Sequence, residues 1–373
     1  MSRPSTATFS VFAPARVNLI GEHTDYSGGL VLPVAIDLGI NVTGAPAEGV
    51  IRLRSTAFRD VVEMRPDGTG AESLTSWGRY VAAVARLLDD RGRPPIGFDG
   101  EIASTVPIGA GLSSSAALDV SVALALCRAA DFTVPPLELA RLARDAEELA
   151  VGVPCGLMDP AASLLSRAGH ALLLDCGSET FRPVLLPDAV SIVVVDSGVR
   201  HALEHSGYTA RRAELTRAIG ALDGRAPTRL SPTQATALAR AGGADDVAVK
   251  RLRHVVSEND RVRACVAALE DPDGPDLVSI GELFRAGHES LRDDYEVSTT
   301  ELNLLVELAY AEGAAAARMT GGGFGGSVVA LVESGRASSF AESVAGAYSA
   351  RVGREGRGWV CTSVDGAGVE PAK

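Results

Sequence analysis

The stretch VPIGAGLSSSAAL, Val106 to Leu118, constrains this chain more than any other. Gly109 and Gly111 permit a tight turn whose backbone can approach a bulky group. The helix expected to start near Ser114 would aim unpaired N–H groups and a positive dipole end at whatever sits before it. The group expected there is an anion. The hydroxyls of Ser113, Ser114 and Ser115 can donate to phosphate oxygens, and a serine so placed can also reach Mg²⁺, as P-loop serines do. The competing reading is a serine-capped helix after a glycine turn, although three adjacent serines exceed what one cap requires. The only lysines are Lys250 and Lys373, so neither a GxxxxGK[ST] loop nor the strand lysine of protein kinases can be built. Phosphates would have to be held by backbone amides, hydroxyls, arginines and metal.

At 373 residues the chain has room for two domains on a prior of about 150 residues each. We expect 1–190 and 191–373. A net charge of −12 argues against nucleic acid and anionic membrane surfaces as partners, because binding there rests on an excess of Lys and Arg. No run approaches the roughly 18 apolar residues of a membrane span, and the start MSRPSTATFSVFAPAR lacks a signal-peptide core. A soluble, cytoplasmic monomer is expected. Five scattered cysteines without CxxC pairs read as reduced thiols.

Near the start, a short strand at Phe9 to Phe12 leads into APARVNLIGEHTDYSGGLVLPVAI. Glu22, His23, Asp25 and Tyr26 crowd polar groups into a turn closed by Gly28 and Gly29. Sugar hydroxyls both donate and accept, so a polyol pocket needs carboxylates beside an ambivalent imidazole. A hairpin turn with solvated charges is the alternative. Arg16, among apolar neighbours, is either a buried structural ion pair or a charge serving the site. Further on, a helix is expected from about Trp77 to Leu88, with Trp77 and Tyr80 read as core. Asp159 followed by Pro160 reads as an N-cap with proline at the first helical position. The segment STTE, Ser298 to Glu301, reads as a capping box. In MTGGGFGGSVVALV, five of the six residues Gly321 to Gly326 are glycine. Their entropic cost implies that the backbone passes close to a ligand or another segment.

With these stretches together, the chain resembles the GHMP kinases, and within them the galactokinases. ARVNLIGEHTDYSGG is similar to the galactokinase signature, VPIGAGLSSSAAL to the family's phosphate loop and RMTGGGFGGSVVALV to its third motif. VPCGLMD, HSGYTARR, RHVVSEND and SLRDDYEVSTTEL extend the similarity over essentially the whole chain. The resemblance implies an α+β fold of two domains with the active site in the cleft between them. It also implies ATP-dependent phosphorylation of galactose. It puts Arg16 and Asp159 at the transfer centre and Glu22, His23, Asp25, Gly156, Asp159 and Tyr208 on the sugar. Gly109, Gly111, Ser113, Ser114 and Ser115 would hold the nucleotide phosphates, Ser115 and Glu147 the Mg²⁺, and Trp77 and Tyr80 would lie near the adenine. An aspartate at a helix start should keep a low pKa, which suits positioning or late proton acceptance. Two departures stand out: the family usually carries Gln where this chain has Pro160, and His or Asn where it has Glu148. Pro160 would remove an N–H and an amide side chain near the sugar. A sibling kinase would lack the GEHTDY cluster, and a non-catalytic galactose and ATP sensor typically loses part of SSSAA; both are complete here.

Overall fold

Apolar residues alternate along FSVFAPARVN, and Val11, Ala13, Ala15 and Val17 are all buried, which is the period-two signature of a strand with one face on a core. In the computed structural model, which describes residues 7–70, 77–200 and 204–371, this strand is β1 (Phe9–Asn18). It runs six residues beyond the strand expected from sequence, 18 against 12. Lys373 and the first six residues, on which part of the signal-peptide reading rests, lie outside the described range.

The long strand β3 (Pro33–Ala47) pairs antiparallel with β1. It carries glycines that sequence patterning alone does not favour in a strand, and the packing explains them. A Cβ on Gly39 would lie 2.4 Å from the Phe12 ring, and one on Gly44 would lie 2.3 Å from the Asp99 carbonyl oxygen. The register between β1 and β3 shifts between Pro14 and Arg16, where proline cannot donate to the ladder. Such irregularities re-aim side chains; here the Arg16 N–H leaves the sheet and donates to Leu112 O at 3.2 Å.

The first sheet has the order β13-β1-β3-β6-β4-β5, with β4 (Ile51–Ser55), β5 (Val62–Met64), β6 (Gly97–Ser104) and β13 (Gly368–Pro371). The last described strand therefore returns to the first sheet. Helices α1 (Gly78–Asp89), α2 (Ser114–Ala129) and α3 (Pro136–Val151) share its core. Helix α2 is apolar nearly all round, as a helix enclosed by others must be; its one acid, Asp119, is buried with both carboxylate oxygens unpartnered. A small sheet joins β2 (Leu30–Val31), β7 (His170–Asp175) and β8 (Thr180–Leu185), with α4 (Met158–Leu165) nearby.

A second core forms where the antiparallel sheet β10 (Ala316–Thr320), β11 (Ser327–Glu333), β9 (Val190–Asp196) and β12 (Arg357–Cys361) meets helices of the second half. These helices are α5 (Glu204–Gly220), α6 (Pro232–Ala241), α7 (Asp246–Leu269), α8 (Leu277–Asp293), α9 (Thr300–Ala311) and α10 (Ala337–Val352). A third apolar cluster, including Val17, Leu32, Leu112, Val194, Val262 and Val329, joins the two halves beneath the site. Among the described residues no helix is long and apolar enough to cross a membrane.

Two expected caps are corrected. Helix α4 begins at Met158 with Leu157 as its N-cap, so Asp159 falls inside the first turn and caps nothing. Helix α9 is capped by Thr299, whose hydroxyl accepts from the Leu302 N–H at 3.2 Å, rather than by Ser298.

Candidate active site

The redirected Arg16 is 5% exposed and clamps Asp159 through two parallel bonds, Nε to Oδ1 at 2.8 Å and Nη2 to Oδ2 at 2.7 Å. Its Nη1 donates to Gly111 O at 2.8 Å. Ser113 Oγ donates to the same Asp159 Oδ2 at 2.6 Å. The two readings of Arg16 thus merge: it is a buried ion pair, and its partner is the candidate catalytic carboxylate. Bidentate charge-assisted pairing fixes both orientation and charge. Ser113 takes a left-handed φ of 61° rather than the extended conformation of a usual N-cap, and α2 starts without a side-chain cap. The helix start remains a donor site for an anion.

From the second residue of α2, Ser115 Oγ donates to Glu147 Oε1 on α3 at 2.5 Å. Burial raises the Glu147 carboxyl to about 7, despite the Ser115 bond that opposes it. A hydroxyl and a carboxylate side by side are hard oxygen donors of the kind Mg²⁺ accepts beside phosphates. A carboxyl that burial pushes toward neutrality also gains from a cation. The pair fits the expected ion. Among the described residues no group of three or more His, Cys, Asp or Glu gathers as a metal cage, so phosphates and water would complete the coordination.

On the opposite wall lies the acidic turn. Asp25 begins a single 3₁₀ turn that Gly28 closes at φ 73°. Burial raises its carboxyl to about 6, and the nearby Asp159 charge adds to the effect. A Cβ on Gly156 would fall 1.4 Å from Asp25 Oδ2, so only glycine leaves that carboxylate in place. Gly156→Ala should therefore fold, displace Asp25 and raise KM for the sugar about tenfold, an energy of about 1.4 kcal/mol. Sugar titration calorimetry alongside a thermal melt checks this; unchanged sugar affinity would show that Asp25 does not meet the ligand.

His23 Nε2 lies 3.2 Å from Gly322 O and Nδ1 lies 2.9 Å from the Tyr26 hydroxyl. A carbonyl can only accept, so Nε2 carries the proton and Nδ1 accepts from Tyr26. Burial lowers the His23 pKa to about 3, which keeps the ring neutral. The Tyr26 hydroxyl meets that of Tyr295 at 2.6 Å, and the Tyr208 ring packs edge-on against Tyr26 at 5.6 Å. Glu22 is buried beside Arg318, Nη2 to Oε2 2.7 Å. Burial still takes its carboxyl to about 7, against the lowering effect of the Arg318 charge.

These residues line one cavity of about 330 Å³. It gathers Arg16, Glu22, His23, Asp25, Tyr80, Gly109, Gly111, Ser113, Ser114, Ser115, Glu147, Gly156, Asp159 and Tyr208. Trp77 is absent from the lining and packs in the core of the first sheet, 7% exposed. Pro160 is likewise buried and off the cavity wall. It is the third residue of α4, where a backbone N–H has no intrahelical acceptor, so the proline costs the helix no hydrogen bond. Gly321, Gly322, Gly323, Gly325 and Gly326 also form wall. A Cβ on Gly321 would lie 2.7 Å from Gly111 O, and one on Gly325 would lie 2.6 Å from Val199 O. The loop thus passes close to another segment, the Gly109–Gly111 turn, and borders the cavity.

Sequence reading missed Arg200. Its Nε donates to Ile108 O at 2.8 Å, while Nη2 lies 2.6 Å from Asp196 Oδ2, so it ties the glycine turn to the end of β9. It also missed Arg318, whose only signal was a charge ahead of a glycine run. Lys250 pairs with Glu296 at 3.5 Å and takes no part in the cavity.

Comparison with known proteins agrees with this geometry. Residues 79–167 match the GHMP kinase N-terminal domain, 262–350 the GHMP kinase C-terminal domain, and 2–46 the galactokinase galactose-binding signature. A galactokinase of Chloroflexus aggregans is 43% identical over 363 residues, covering 96% of this chain and 92% of that protein. One from Streptomyces coelicolor is 42% identical, covering 91% and 88%. The crystal structure of Lactococcus lactis galactokinase complexed with galactose superposes with a TM-score of 0.91 at 33% identity, covering 97% of this chain and 95% of the other. The mevalonate kinase of L. major shares the fold alone, at TM-score 0.67 and 20% identity. By sequence, fold and the arrangement of its cavity, the chain belongs to the galactokinases of the GHMP kinase family.

Proposed function

We propose that this protein transfers the γ-phosphoryl group of ATP to the C1 hydroxyl of galactose, the first phosphorylation in the use of that sugar. The observation that carries this reading is the position of the Arg16–Asp159 pair. It joins the acidic turn, through Gly156 and Asp25, to the serine-bearing start of α2, through Ser113 and Gly111. Sugar and nucleotide would meet at that pair. In this reading the chain divides into domains of 1–190 and 191–373, with β13 returning to the first sheet, and the cavity would lie between them.

Glu22, His23, Asp25 and Tyr208 hold the sugar. The phosphates lie over Gly109, Gly111 and the N–H groups of the α2 start, with Ser114 and Ser115 donating, and Tyr80 lies toward the base. Mg²⁺ bound at Ser115 and Glu147 would supply charge neutralisation across the phosphates. Phosphoryl transfer passes through a loose transition state and needs positioning and charge compensation more than a strong base. Arg16 offers a fixed positive charge beside the transferring group. Asp159, oriented by three donors, orients the C1 hydroxyl and takes its proton late in the transfer.

A panel of monosaccharides assayed for ATP turnover tests the assignment: galactose should clearly outrun glucose, and a best substrate that is not a hexose would overturn it. Within the site, Ser115→Ala should weaken Mg²⁺-ATP use about tenfold, the loss of one charge-assisted contact of roughly 1.5 kcal/mol. Lys250→Ala should leave kcat and both KM values unchanged, because the phosphates are held without lysine. A nucleotide-linked defect in the Lys250 variant would move the nucleotide site elsewhere.

A further inference from the structure

The segment RHVVSEND, Arg253 to Asp260, lies on α7 and contributes nothing to the cavity wall. Its buried polar residues nevertheless reach both ends of the acidic turn. His254 Nε2 lies 3.1 Å from Glu22 O, so it donates, while Nδ1 accepts from Ser290 at 2.9 Å. Glu258 Oε1 accepts from the Gly21 N–H at 3.0 Å, and Asn259 Oδ1 accepts from the Leu30 N–H at 2.7 Å. The turn is pinned at its entrance and exit by one rigid helix.

Arg318, on β10 just ahead of the glycine run, closes this network. It is fully buried, and its Nη2 sits 2.7 Å from Glu22 Oε2 and 2.7 Å from Glu258 Oε1. Arg261 Nε donates to the second Glu258 oxygen at 2.6 Å. Two carboxylates and two guanidiniums thus balance in a dry interior, where an uncompensated charge would be costly. The guanidinium has little room to turn: α8 passes so close that a Cβ on Gly287 would lie 2.6 Å from Arg318 Nη1. Of the four charged groups only Glu22 faces the cavity.

We propose that Arg318 is a positioning residue for sugar binding: by bridging Glu22 to Glu258 it holds Glu22 in place at the cavity wall, and so sets affinity for galactose without touching it. This rests on the reading above that Glu22 meets the sugar. Glu22 is the one member of the network that also belongs to the cavity wall, a placement that a network serving stability alone would not need.

Arg318→Lys keeps the charge on a shorter, non-planar arm. It should raise the galactose Kd, measured by calorimetry without nucleotide, and KM for galactose by about tenfold, the equivalent of about 1.4 kcal/mol. KM for ATP should stay unchanged and kcat should fall far less than sugar affinity. A purely structural role would instead lower apparent kcat with the folded fraction and leave both KM values alone, which would overturn the proposal. If the lysine variant does not fold, Arg318→Met combined with Glu258→Gln removes one charge of each sign, and the same loss of galactose affinity is expected. Glu22→Gln separates the two levels of inference. If it leaves galactose binding intact, the sugar-site reading fails; if it weakens binding while the Arg318 variants do not, only the positioning role fails.

Discussion

Asp159→Asn should lower kcat by roughly 10²- to 10⁴-fold, the range expected when a positioned proton acceptor is lost. Galactose and ATP should both still bind. The substitution keeps the shape of the side chain and removes its charge, which Arg16 meets with two parallel bonds. An amide can present only one oxygen to that fork, so an N–H would face an N–H. The structural cost of one such mismatch is about 1 kcal/mol, a shift in Tm of roughly 2–4 °C. Kinetics with a thermal melt and a galactose titration on the same preparation separate the effects. A large fall in Tm that accounts for the lost activity would make Asp159 a residue of the fold rather than of the chemistry.

Asp25→Ala is expected to strike specificity. The carboxyl is buried against Gly156 and is raised to about 6 by burial and by Asp159, so a sugar hydroxyl that pairs with it relieves a desolvated acceptor. Removing the carboxylate leaves that hydroxyl unpaired at a cost of about 1–3 kcal/mol, roughly 5- to 150-fold in kcat/KM for galactose. Sites that hydrogen-bond particular hydroxyls reject analogues more strongly than apolar pockets do. The lead of galactose over glucose should therefore narrow, with KM for ATP almost unchanged. Equal losses for both sugars would show that Asp25 supports the pocket without reading the hydroxyl pattern.

Both experiments probe residues that the sequence treats unequally. The serine-bearing helix start, the acidic turn and the glycine run were legible because each is a local device. Gly28 closes its turn with positive φ, Ser113 and Ser115 sit at a helix terminus, and five glycines crowd a strand entry; the residues responsible are neighbours in the chain. Local rules misassigned Asp159 for the same reason. An aspartate before a proline reads as an N-cap, and the guanidinium that claims it lies 143 positions away. Trp77 also illustrates the limit, since the bulk that suits a base-stacking wall suits a core equally well, and burial decided for the core. The sequence by itself determined which chemistries were available: hydroxyls, arginines and a helix start rather than lysine as donors to an anion, carboxylates beside an imidazole, and glycines where backbones must touch. Tertiary structure alone decided which charges meet. The irregular register after Pro14 turns Arg16 onto Asp159, and α7 and β10, both packed on α8, bring Glu258 and Arg318 to Glu22. Such pairings depend on the approach of segments distant in sequence, and the high cost of an unpaired buried charge selects the fold in which all of them close together.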